Sequence, residues 1–423
     1  MRILVIGSGG REHAICRSFS RNRLVEKLFC ANGNAGIASM AELVPISPNE
    51  IVSLADFAQA NAIDLTFVGG ETPLALGIVD EFKSRGSRII GASKDAARLE
   101  ASKSFAKDFM RRHEIPTAQY RTAHSSSEAI AILNSGLFGD ALSPVVVKAD
   151  GLAAGKGVVV AGNRAEALTA IAELATTVGT EAAAVIVLEE CLVGREVSLI
   201  MFCDGENFAL MPATRDHKRI GDGDTGPNTG GMGTFTDASL LSKGQTDEII
   251  ESIVKPTIRG CKSEGFPFCG ILFLGLMMTD RGPQVLEYNV RFGDPETQSI
   301  LIRLETDLVE ICEAMLEERL DRTEIRWRSG NSACVIVASD GYPYKARTGD
   351  VIAGLNRLDG LDDIVVFHSG TAINDAGEFV TAGGRVLGVT AVGDDLDSAI
   401  SKAYEAVKMI EFDGMQYRKD IGK

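Results

Sequence analysis

The sequence predicts a multidomain α/β protein, and two features of the chain support that prediction. Its 423 residues correspond to about three domains at roughly 150 residues each. Through the first hundred residues, short apolar runs alternate with helical patterns, which is typical of a parallel sheet covered by helices. The chain also holds 45 glycines, a number that indicates many tight turns and close backbone approaches.

Composition and charge exclude several classes of protein. Hydrophobic residues make up 45% and charged residues 24%, as in ordinary globular proteins. The formal net charge of −15 argues against nucleic acid or an anionic membrane as a partner, because both require a basic surface. The eight cysteines show neither C-x-x-C pairs nor zinc-site spacing, so free thiols in a reducing compartment are expected. The apolar runs are too short for a signal peptide or a membrane span, and we therefore expect a cytoplasmic protein.

Four strands and three helices are predicted for the N-terminal sheet. The strands are Ile3–Ile6, Lys27–Ala31, Leu65–Val68 and Arg88–Ile90, and the helices lie near His13–Ser20, Ile51–Asn61 and Leu74–Arg85. Glycines stand at or just beyond the strand ends, and open α/β sheets bind ligands at the carboxyl ends of their strands. This edge of the sheet is therefore the first candidate for a binding site.

The turn after the first strand contains Gly7, Gly9 and Gly10 and opens a helix. Such a turn presents backbone N–H groups to a phosphate. A dinucleotide fold is disfavoured, because Glu12 stands where that motif has its third glycine and no carboxylate ends the second strand. The turn predicts either a mononucleotide or sugar phosphate at this edge, or a tight turn without a ligand.

Beyond about Ser93 the pattern changes to helices mixed with β-like runs. The predicted elements are helix Ser102–His113, strands Val145–Lys148 and Val158–Ala161, helix Arg164–Thr176, strand Val185–Glu189, helix Thr246–Glu264, strands Gly270–Met278 and Gln284–Tyr288, and helix Pro295–Arg303. From about Ser332, short strands with glycine-rich turns precede a closing helix, Asp397–Ile410. This last part predicts a β-rich C-terminal domain.

A glycine-rich segment follows strand 145–148 and predicts a hairpin that folds over phosphates. It contains Gly151, Gly155, Lys156 and Gly157, and Lys148 stands at the end of the preceding strand. The segment is not a P-loop, because it is one residue short between its glycines and has no Ser or Thr after the lysine. Its three glycines and two lysines favour phosphate binding over a surface turn that uses glycine only for its shape.

The strand ending at Glu189 runs into a segment suited to an adenosine pocket. There Glu189 could accept a hydrogen bond from the adenine amino group, and Leu192 could offer backbone groups to the ring edge. Glu196 could hold the ribose hydroxyls. Carboxylates at a strand end are more often solvated, so this pattern alone leaves both interpretations open.

Glu287 and Asn289 stand two residues apart on a predicted strand, so their side chains share one face. A carboxylate and an amide oxygen, together with ATP phosphates, form a usual environment for Mg²⁺. Arg291 follows directly and can neutralise charge on a transferring phosphoryl group. A glutamate on a strand is more often structural, but the combination with Arg291 favours a metal site.

A basic cluster, Arg215–Arg219, leads into a segment in which residues 221–233 hold six glycines. A solvated surface run is one interpretation of this pattern. A mobile loop that closes on an anion is the other, and we expect a functional loop here rather than a linker.

Together these motifs resemble the glycinamide ribonucleotide synthetases, or phosphoribosylamine–glycine ligases, a family of the ATP-grasp superfamily. The similarity runs almost end to end and is carried by Gly9–His13, Gly33–Gly36, Lys148–Gly157, Asp216–Arg219, Thr225–Gly233, Arg291–Gln298, Tyr342–Pro343, Arg347–Asp350 and Arg418–Gly422. The chain departs from the usual family pattern at Asn32, Gly70 and Cys191, where the family has Pro, Pro and Phe. None of these departures removes a charged group.

The resemblance implies a reaction in which ATP converts glycine to a glycyl phosphate, and 5-phosphoribosylamine then displaces phosphate. The products are glycinamide ribonucleotide, ADP and phosphate, in de novo purine biosynthesis. Mg²⁺, or Mn²⁺ in its place, is implied at Glu287 and Asn289. Catalytic roles are implied for Lys148, Arg291 and Asp294; ATP binding for Lys103, Lys148, Gly155, Lys156, Gly157, Glu189, Glu190, Leu192 and Glu196; and substrate binding for Gly9, Gly10, Asn34, Glu71, Asp216 and Lys218.

The resemblance also implies three structural parts. These are an N-terminal α/β domain over residues 1–102, an ATP-grasp domain over 103–328 with a hinged lid at about 118–193, and a C-terminal β-rich domain over 329–423. We expect a monomer or a weak homodimer. Two other functions stay open: another purine-pathway ATP-grasp carboxylase or ligase, and a nucleotide-binding module without turnover.

Overall fold

The structure, a computed structural model, describes residues 1–152, 157–358, 360–361 and 363–423. Gly155 and Lys156 of the glycine-rich segment therefore lie outside the described residues. Within these ranges, no helix is both long enough and apolar enough to cross a membrane.

The first part of the chain is a five-stranded parallel sheet with strand order β3-β2-β1-β4-β5. Its elements are β1 (Arg2–Gly7), α1 (Gly10–Ser20), β2 (Lys27–Asn32), β3 (Glu42–Val44), α2 (Ile51–Ala60), β4 (Leu65–Val68), α3 (Glu71–Leu76), α4 (Ile78–Ser84) and β5 (Ile89–Ile90). The central strand β1 is fully buried from Ile3 to Ile6, as a continuous apolar run between two helical layers requires. The predicted parallel sheet is confirmed.

Two details of this sheet differ from the prediction. The edge strand β3 was not predicted, because it has only three residues and two of them are exposed. The helix predicted over Leu74–Arg85 is two helices, α3 and α4, separated at Gly77. Gly77 has a φ of 94°, which interrupts the helical conformation and which a residue with a Cβ adopts only with strain.

Helices α5 (Lys94–Ala101) and α6 (Lys103–Arg112) lead into a small antiparallel sheet with strand order β6-β9-β7-β8. This four-stranded unit comprises β6 (Tyr120–Ala123), α7 (Ser126–Asn134), β7 (Val145–Ala149), β8 (Val158–Ala161), α8 (Arg164–Val178) and β9 (Ile186–Glu190). It has its own hydrophobic core, in which Leu133, Val147 and Ile171 are buried. A unit with a separate core can move as one body, and it occupies the range for which a hinged lid is predicted.

The rest of the chain is built around a nine-stranded antiparallel sheet with strand order β17-β16-β10-β12-β15-β18-β22-β19 and with β11 paired to β10. Its strands are β10 (Arg195–Asp204), β11 (Phe208–Leu210), β12 (Thr214–Asp216), β15 (Gly233–Thr236), β16 (Cys269–Thr279), β17 (Gly282–Asn289), β18 (Asn331–Ala338), β19 (Ile364–His368) and β22 (Arg385–Gly393). Separate two-stranded pairs are β13 (Arg219–Gly221) with β14 (Thr225–Asn228), and β20 (Thr371–Ile373) with β21 (Phe379–Thr381). The flanking helices are α9 (Lys243–Ile249), α10 (Lys255–Ser263), α11 (Glu296–Leu301), α12 (Leu308–Leu316) and α13 (Leu396–Val407).

This large sheet joins parts of the chain that the sequence assigned to different domains. Strand β15 pairs with β18, so the hydrogen-bonded ladder continues from β17 to the C-terminal strands without a break. The β-rich character predicted for the C-terminal residues is present in β18, β19 and β22. The predicted domain boundaries stay a prediction, because backbone pairing crosses one of them.

Two segments differ from their predicted form. The segment 216–233 is not an open loop, since residues 219–228 form the hairpin β13–β14. The predicted helix Thr246–Glu264 is present, but α9 and α10 are separated by a π-helical turn at Ile250–Val254. Pro256 lies in the first turn of α10, and its missing N–H prevents a regular α-helical ladder there.

Helix α1 contacts strand β19 through two buried histidines, His13 and His368. The backbone N–H of His368 donates to Nδ1 of His13 at 2.9 Å, and the two rings lie 5.6 Å apart. Burial lowers the pKa of His13 to about 3, with repulsion from His368 adding to the shift, and burial lowers the pKa of His368 to about 4. Both rings are therefore neutral in the folded chain near pH 7.

We expect this contact to make the fold sensitive to acid. The unfolded chain binds protons on these histidines below about pH 6.5, whereas the folded chain does so only near pH 3 to 4. The free energy of unfolding should therefore fall by about 2 kcal/mol per histidine between pH 7 and pH 5. The measurement is urea unfolding at pH 7, 6 and 5. His13→Asn, which keeps an acceptor, should flatten the pH dependence, and the exposed control His124→Asn should not. Identical slopes in the wild type and His13→Asn would contradict the prediction.

Candidate active site

A cleft of about 930 Å³ lies where the parallel sheet, the four-stranded unit and the large sheet meet. Most of the predicted site residues line it: Glu71, Lys103, Lys148, Gly157, Glu189, Glu190, Leu192, Glu196, Asp216, Lys218, Glu287, Asn289, Arg291 and Asp294. The C-terminal part adds Arg385 from the start of β22. The cleft is therefore built from every part of the chain.

One end of the cleft holds a buried triad of two lysines and a glutamate. The carboxylate of Glu189 lies 2.9 Å from Nζ of Lys107 and 2.8 Å from Nζ of Lys148, and each side chain is at least 93% buried. Burial lowers the pKa of Lys107 to about 8, although Glu189 opposes the shift. Burial would raise the pKa of Glu189, but Lys148 and Lys107 keep it below its usual value. The triad carries a net positive charge.

The triad changes the interpretation of Glu189. The sequence predicts that this carboxylate accepts a hydrogen bond from the adenine amino group. In the structure Oε2 lies 2.9 Å from Lys107, and Oε1 lies 2.8 Å from Lys148 but has no hydrogen-bond partner among the described residues, so the triad adds a second role for Glu189 and its contact to adenine stays a prediction. Lys107 lies opposite Glu189 because α6, which carries it, packs against β17.

Lys103 stands at the start of α6 and faces the same end of the cleft. Its ammonium donates to the carbonyl of Gly151 at 3.3 Å, and the Ser102 hydroxyl donates to Asp150 at 3.0 Å. These bonds attach the beginning of the glycine-rich segment to α6. Burial lowers the pKa of Lys103, against attraction from Glu287.

The edge of the cleft beyond β9 carries Glu190, Leu192 and Glu196. Glu190 accepts from the backbone N–H of Gln119 at 2.9 Å and pairs with Arg281 at 3.0 Å, so it connects the four-stranded unit to the large sheet. Glu196 pairs with Lys218 at 3.0 Å. The structure thus brings together Glu196 and Lys218, which the sequence assigned to different ligands.

Glu287 and Asn289 both face the cleft from β17, while Tyr288 between them points into the core and shares a hydrogen bond with Thr257. Burial would raise the pKa of Glu287, but Lys218 and Lys148 are the strongest of several cations that hold it below its usual value. Within the described residues, neither Glu287 nor Asn289 uses its side chain in a hydrogen bond. The two oxygen donors are therefore available to a cation.

Arg291 is held between two carboxylates of the N-terminal part. It lies 3.1 Å from Glu71 and 2.9 Å from Glu100. Burial opposes ionisation of Glu71, yet Arg291 and Arg11 lower its pKa to about 2, whereas burial raises the pKa of Glu100. The direction of the Arg291 guanidinium is consequently set by Glu71 on α3 and Glu100 on α5.

The other end of the cleft is acidic and contains Asp216, Asp294 and Glu296. Oδ1 of Asp216 is buried without a hydrogen-bond partner among the described residues, and burial together with Glu296 raises the pKa of Asp216. Burial also raises the pKa of Glu296, which is 5% exposed. Asp294 differs, because Arg385 at 3.3 Å and Arg11 keep its pKa below the usual value despite its burial. A cation at this end would satisfy the carboxylates that lack a partner.

Gly9, Gly10 and Asn34 do not line the cleft. The Asn34 side chain makes four hydrogen bonds to backbone groups of Ser8, Gly36, Ile37 and His368. A Cβ on Gly10 would lie 2.6 Å from the side chains of Gln298 and Ser369. These residues therefore fix loops behind the cleft, and the expected direct contact of Asn34 with a substrate is not supported.

Nine charged residues of the cleft were not predicted as site residues: Arg11, Glu100, Lys107, Arg195, Arg215, Arg219, Asp224, Glu296 and Arg385. Five of them, Arg11, Glu100, Lys107, Glu296 and Arg385, carry the interactions described above. Arg11 and Glu296 lie inside motifs that were recognised, and Lys107 follows Lys103 by four residues on one helix face, so a signal existed for these three. Glu100 and Arg385 had none, because only the tertiary structure brings them to Arg291 and Asp294.

Sequence comparison places this chain among known proteins over its full length. Residues 1–100, 101–297 and 332–423 match the N domain, the ATP-grasp (A) domain and the C domain of phosphoribosylglycinamide synthetase. The phosphoribosylamine–glycine ligase of Vibrio parahaemolyticus is 47% identical over 426 aligned positions, covering 100% of this chain and 98% of that protein. The ligase of the same name from Escherichia coli O157:H7 is 46% identical with the same coverage.

Comparison with solved structures gives the same result as the comparison of sequences. The crystal structure of phosphoribosylamine–glycine ligase from Thermotoga maritima superimposes with a TM-score of 0.85 at 32% identity, and the similarity covers all of both chains. A biotin carboxylase domain from Hydrogenobacter thermophilus, in complex with MgADP and bicarbonate, reaches a TM-score of 0.74 at 16% identity. It covers 98% of this chain and 91% of that one. At that identity the second likeness concerns the fold alone.

The buried triad indicates that loss of Lys107 lowers the free energy of unfolding. Lys107→Met removes one of the two cations that face Glu189, and the loss of a partner from a buried ion pair costs about 3 kcal/mol or more. Lys262→Met is the matched control, because its ammonium pairs with Glu206 at the exposed surface and should contribute less than about 1 kcal/mol. Denaturant unfolding of both variants measures the two changes in the free energy of unfolding. Equal changes would show that burial of the triad has no energetic consequence.

Proposed function

The chain belongs to the phosphoribosylglycinamide synthetase family, and we propose that its cleft joins glycine to 5-phosphoribosylamine while ATP is converted to ADP and phosphate. This is the activity of a phosphoribosylamine–glycine ligase, an enzyme of purine biosynthesis. One observation carries the proposal for this cleft. Glu287 and Asn289, whose side chains make no hydrogen bond among the described residues, line the same cleft as the cations Lys103, Lys148, Lys218 and Arg291.

The lysine-rich end is the proposed ATP site. The ammonium groups of Lys103 and Lys148 supply positive charge for the phosphates, and Glu189 keeps Lys148 in place. Leu192 and Glu190 are proposed to face adenine, and Glu196 to face the ribose. The Gly151–Gly157 segment, which starts beside α6, would cover the phosphates and exclude water that would otherwise hydrolyse a reactive intermediate.

Glu287 and Asn289 are the proposed ligands of Mg²⁺, or of Mn²⁺ in its place. The donor set fits a hard cation, because a carboxylate and an amide oxygen share one strand face and neither is used by another described side chain. No group of three or more His, Cys, Asp or Glu suited to a metal occurs among the described residues. The phosphates of the nucleotide would supply further oxygen ligands. When bound, the ion would neutralise negative charge on the phosphates.

The acidic end is the proposed site of the glycine ammonium. Asp216 offers a buried carboxylate oxygen that has no hydrogen-bond donor among the described residues, and Glu296 lies close enough to raise its pKa. An ammonium group would supply both the missing donor and the missing positive charge. Asp294 is proposed to assist, although Arg385 already neutralises it.

The chemistry requires charge stabilisation more than acid–base catalysis. An amine cannot displace oxide from a carboxylate, so phosphorylation of glycine first provides phosphate as a leaving group. The amine of 5-phosphoribosylamine then attacks the glycyl carbon, the carbon–oxygen bond to phosphate breaks, and one proton is released. Lys148 and Arg291 are proposed to stabilise the negative charge that gathers in both steps, and Glu71 and Glu100 hold Arg291 in position.

Phosphoribosylamine is proposed to occupy the region between the parallel sheet and Lys218. Glu71 and Lys218 line the cleft there. Gly9, Gly10 and Asn34 would act indirectly, by fixing the start of α1, which carries Arg11, and the loops that follow the first two strands.

The proposal is tested by ADP release from ATP with Mg²⁺, glycine and phosphoribosylamine, with each component omitted in turn. We expect ADP only when glycine and the amine are both present. Glu287→Ala should lower kcat/KM by more than about a hundredfold, since changes outside the ligand shell alone cost about ten- to a hundredfold. The exposed Glu206→Ala is the control and should retain full activity. Release that depends on bicarbonate or formate, and not on glycine, would contradict the proposal and favour another ATP-grasp reaction.

Asp216→Asn tests the glycine site separately. A hydrogen bond between charged groups contributes about 1.5–3 kcal/mol, so the KM for glycine should rise by about tenfold or more. The Kd of ATP should stay unchanged, because Asp216 is not among the residues proposed to bind the nucleotide. Steady-state kinetics with varied glycine and calorimetric titration of ATP provide the two measurements. An unchanged KM for glycine would remove Asp216 from the proposed site.

A further inference from the structure

The last residues of the chain, Arg418–Gly422, contact a hairpin that borders the cleft, and we call them the terminal segment. The hairpin is Arg219–Asn228, which contains β13 and β14. Arg418 is only 2% exposed, and it donates to both carboxylate oxygens of Asp420 at 2.8 and 2.7 Å. The same guanidinium donates to Asp224 at 2.7 Å and to the carbonyl of Arg219 at 3.1 Å. One buried cation thus connects the terminal segment to the first strand of the hairpin and to its turn.

Backbone groups of both segments extend this connection. The N–H of Gly223 donates to Asp420 at 2.8 Å, and the N–H of Lys419 donates to Asp222 at 2.7 Å. The N–H of Gly422 points to Nε2 of His217 at 3.4 Å, just before the hairpin begins.

The terminal segment is itself anchored to helix α13. The hydroxyl of Tyr404 donates to the carbonyl of Arg418 at 2.8 Å and accepts from the N–H of Ile421 at 3.1 Å. Ile421 is fully buried, and its side chain lies where a Cβ on Gly233 would be. The C-terminal part of the chain therefore provides a rigid base for the hairpin.

The hairpin needs such a base. Its two strands pair at only two positions, with an irregularity between them, and residues 222–226 are exposed. An isolated two-stranded hairpin is marginally stable in water. Arg219, Asp224 and Asn228 nevertheless line the cleft, and Asp216 and Lys218 directly precede the hairpin.

We propose that Arg418 is a positioning residue for the two non-nucleotide substrates. Through Asp224 and Asp420 it fixes the hairpin beside the end of the cleft that contains Asp216 and Lys218. Glycine and phosphoribosylamine therefore bind to a site that the terminal segment completes, whereas ATP binding at Lys103 and Lys148 does not depend on it. This inference rests on the proposed function for the identity of the two substrates.

Asp224→Ala tests the proposal with little risk to the fold, because the Asp224 side chain is 61% exposed. Hydrogen–deuterium exchange of the complete chain should show the amides of residues 219–228 exchanging about tenfold faster, since their local opening becomes easier. The KM values for glycine and phosphoribosylamine should rise by about tenfold, the size of one charge-assisted hydrogen bond. The kcat and the Kd of ATP should change by less than about twofold.

Three further variants make the test specific. Asp224→Glu keeps the carboxylate and should restore the KM values and the slow exchange. Arg418→Met should reproduce Asp224→Ala in both measurements. Asp413→Ala is the matched control, because Asp413 is an exposed carboxylate that pairs with Arg347 at 2.9 Å within the C-terminal part. It should alter neither the exchange nor the KM values.

Two outcomes would overturn the proposal. Unchanged exchange and unchanged KM values in Asp224→Ala would show that the terminal segment does not position the hairpin. Higher KM values without faster exchange would show that Asp224 contacts a substrate itself. Failure of the proposed function is a separate result, because the wild type would then release no ADP in response to glycine while the exchange measurement would still report on the hairpin.

Discussion

Burial of charge in the cleft is the constraint on which the rest of the structure depends. A charged group taken out of water is costly unless it acquires a partner, and each partner here comes from a different segment of the chain. Lys107 on α6 and Lys148 on β7 face Glu189 on β9. The same rule joins Arg291 to Glu71 and Glu100 of the N-terminal part. The ion pairs therefore connect the structural units and at the same time create the electrostatic character of the site.

Two properties of the strands determine where the charged and polar side chains of the cleft lie. Side chains alternate across β17, so Glu287 and Asn289 face the cleft while Tyr288 is fixed in the core. The long apolar strands β10 and β16 pair over ten residues and give β17 a rigid neighbour. Donors for a cation thus sit on a strand supported by a long, buried neighbour. The four-stranded unit, in contrast, has its own core and contacts the large sheet through groups such as Glu190 and Arg281.

The C-terminal part is more than a covering for the ATP-grasp sheets. Its strands continue the large sheet through β15 and β18, and it delivers Arg385 to Asp294. Contacts of His368 with His13 attach it to the N-terminal part as well. A cleft whose walls come from three regions closes correctly only when all three regions are folded, which couples the integrity of the fold to that of the site.

Much of this protein follows from its sequence alone. The continuous apolar run at Ile3–Ile6 determined a buried parallel strand, and the spacing of Glu287 and Asn289 determined that they share a face. The motifs Lys148–Gly157, Thr225–Gly233 and Arg291–Gln298 identified the family. These features are local, since they depend on periodicity or on residues close together in the chain. The partners of the charged groups are not local, and the tertiary structure alone decided them. Lys107 lies opposite Glu189, the Asn34 side chain bonds to the backbone of neighbouring loops, and Glu100 and Arg385 reach the site from distant segments. Sequence patterns carry no record of such pairings, because the energy of a buried charge depends on what surrounds it in space and not on its neighbours along the chain.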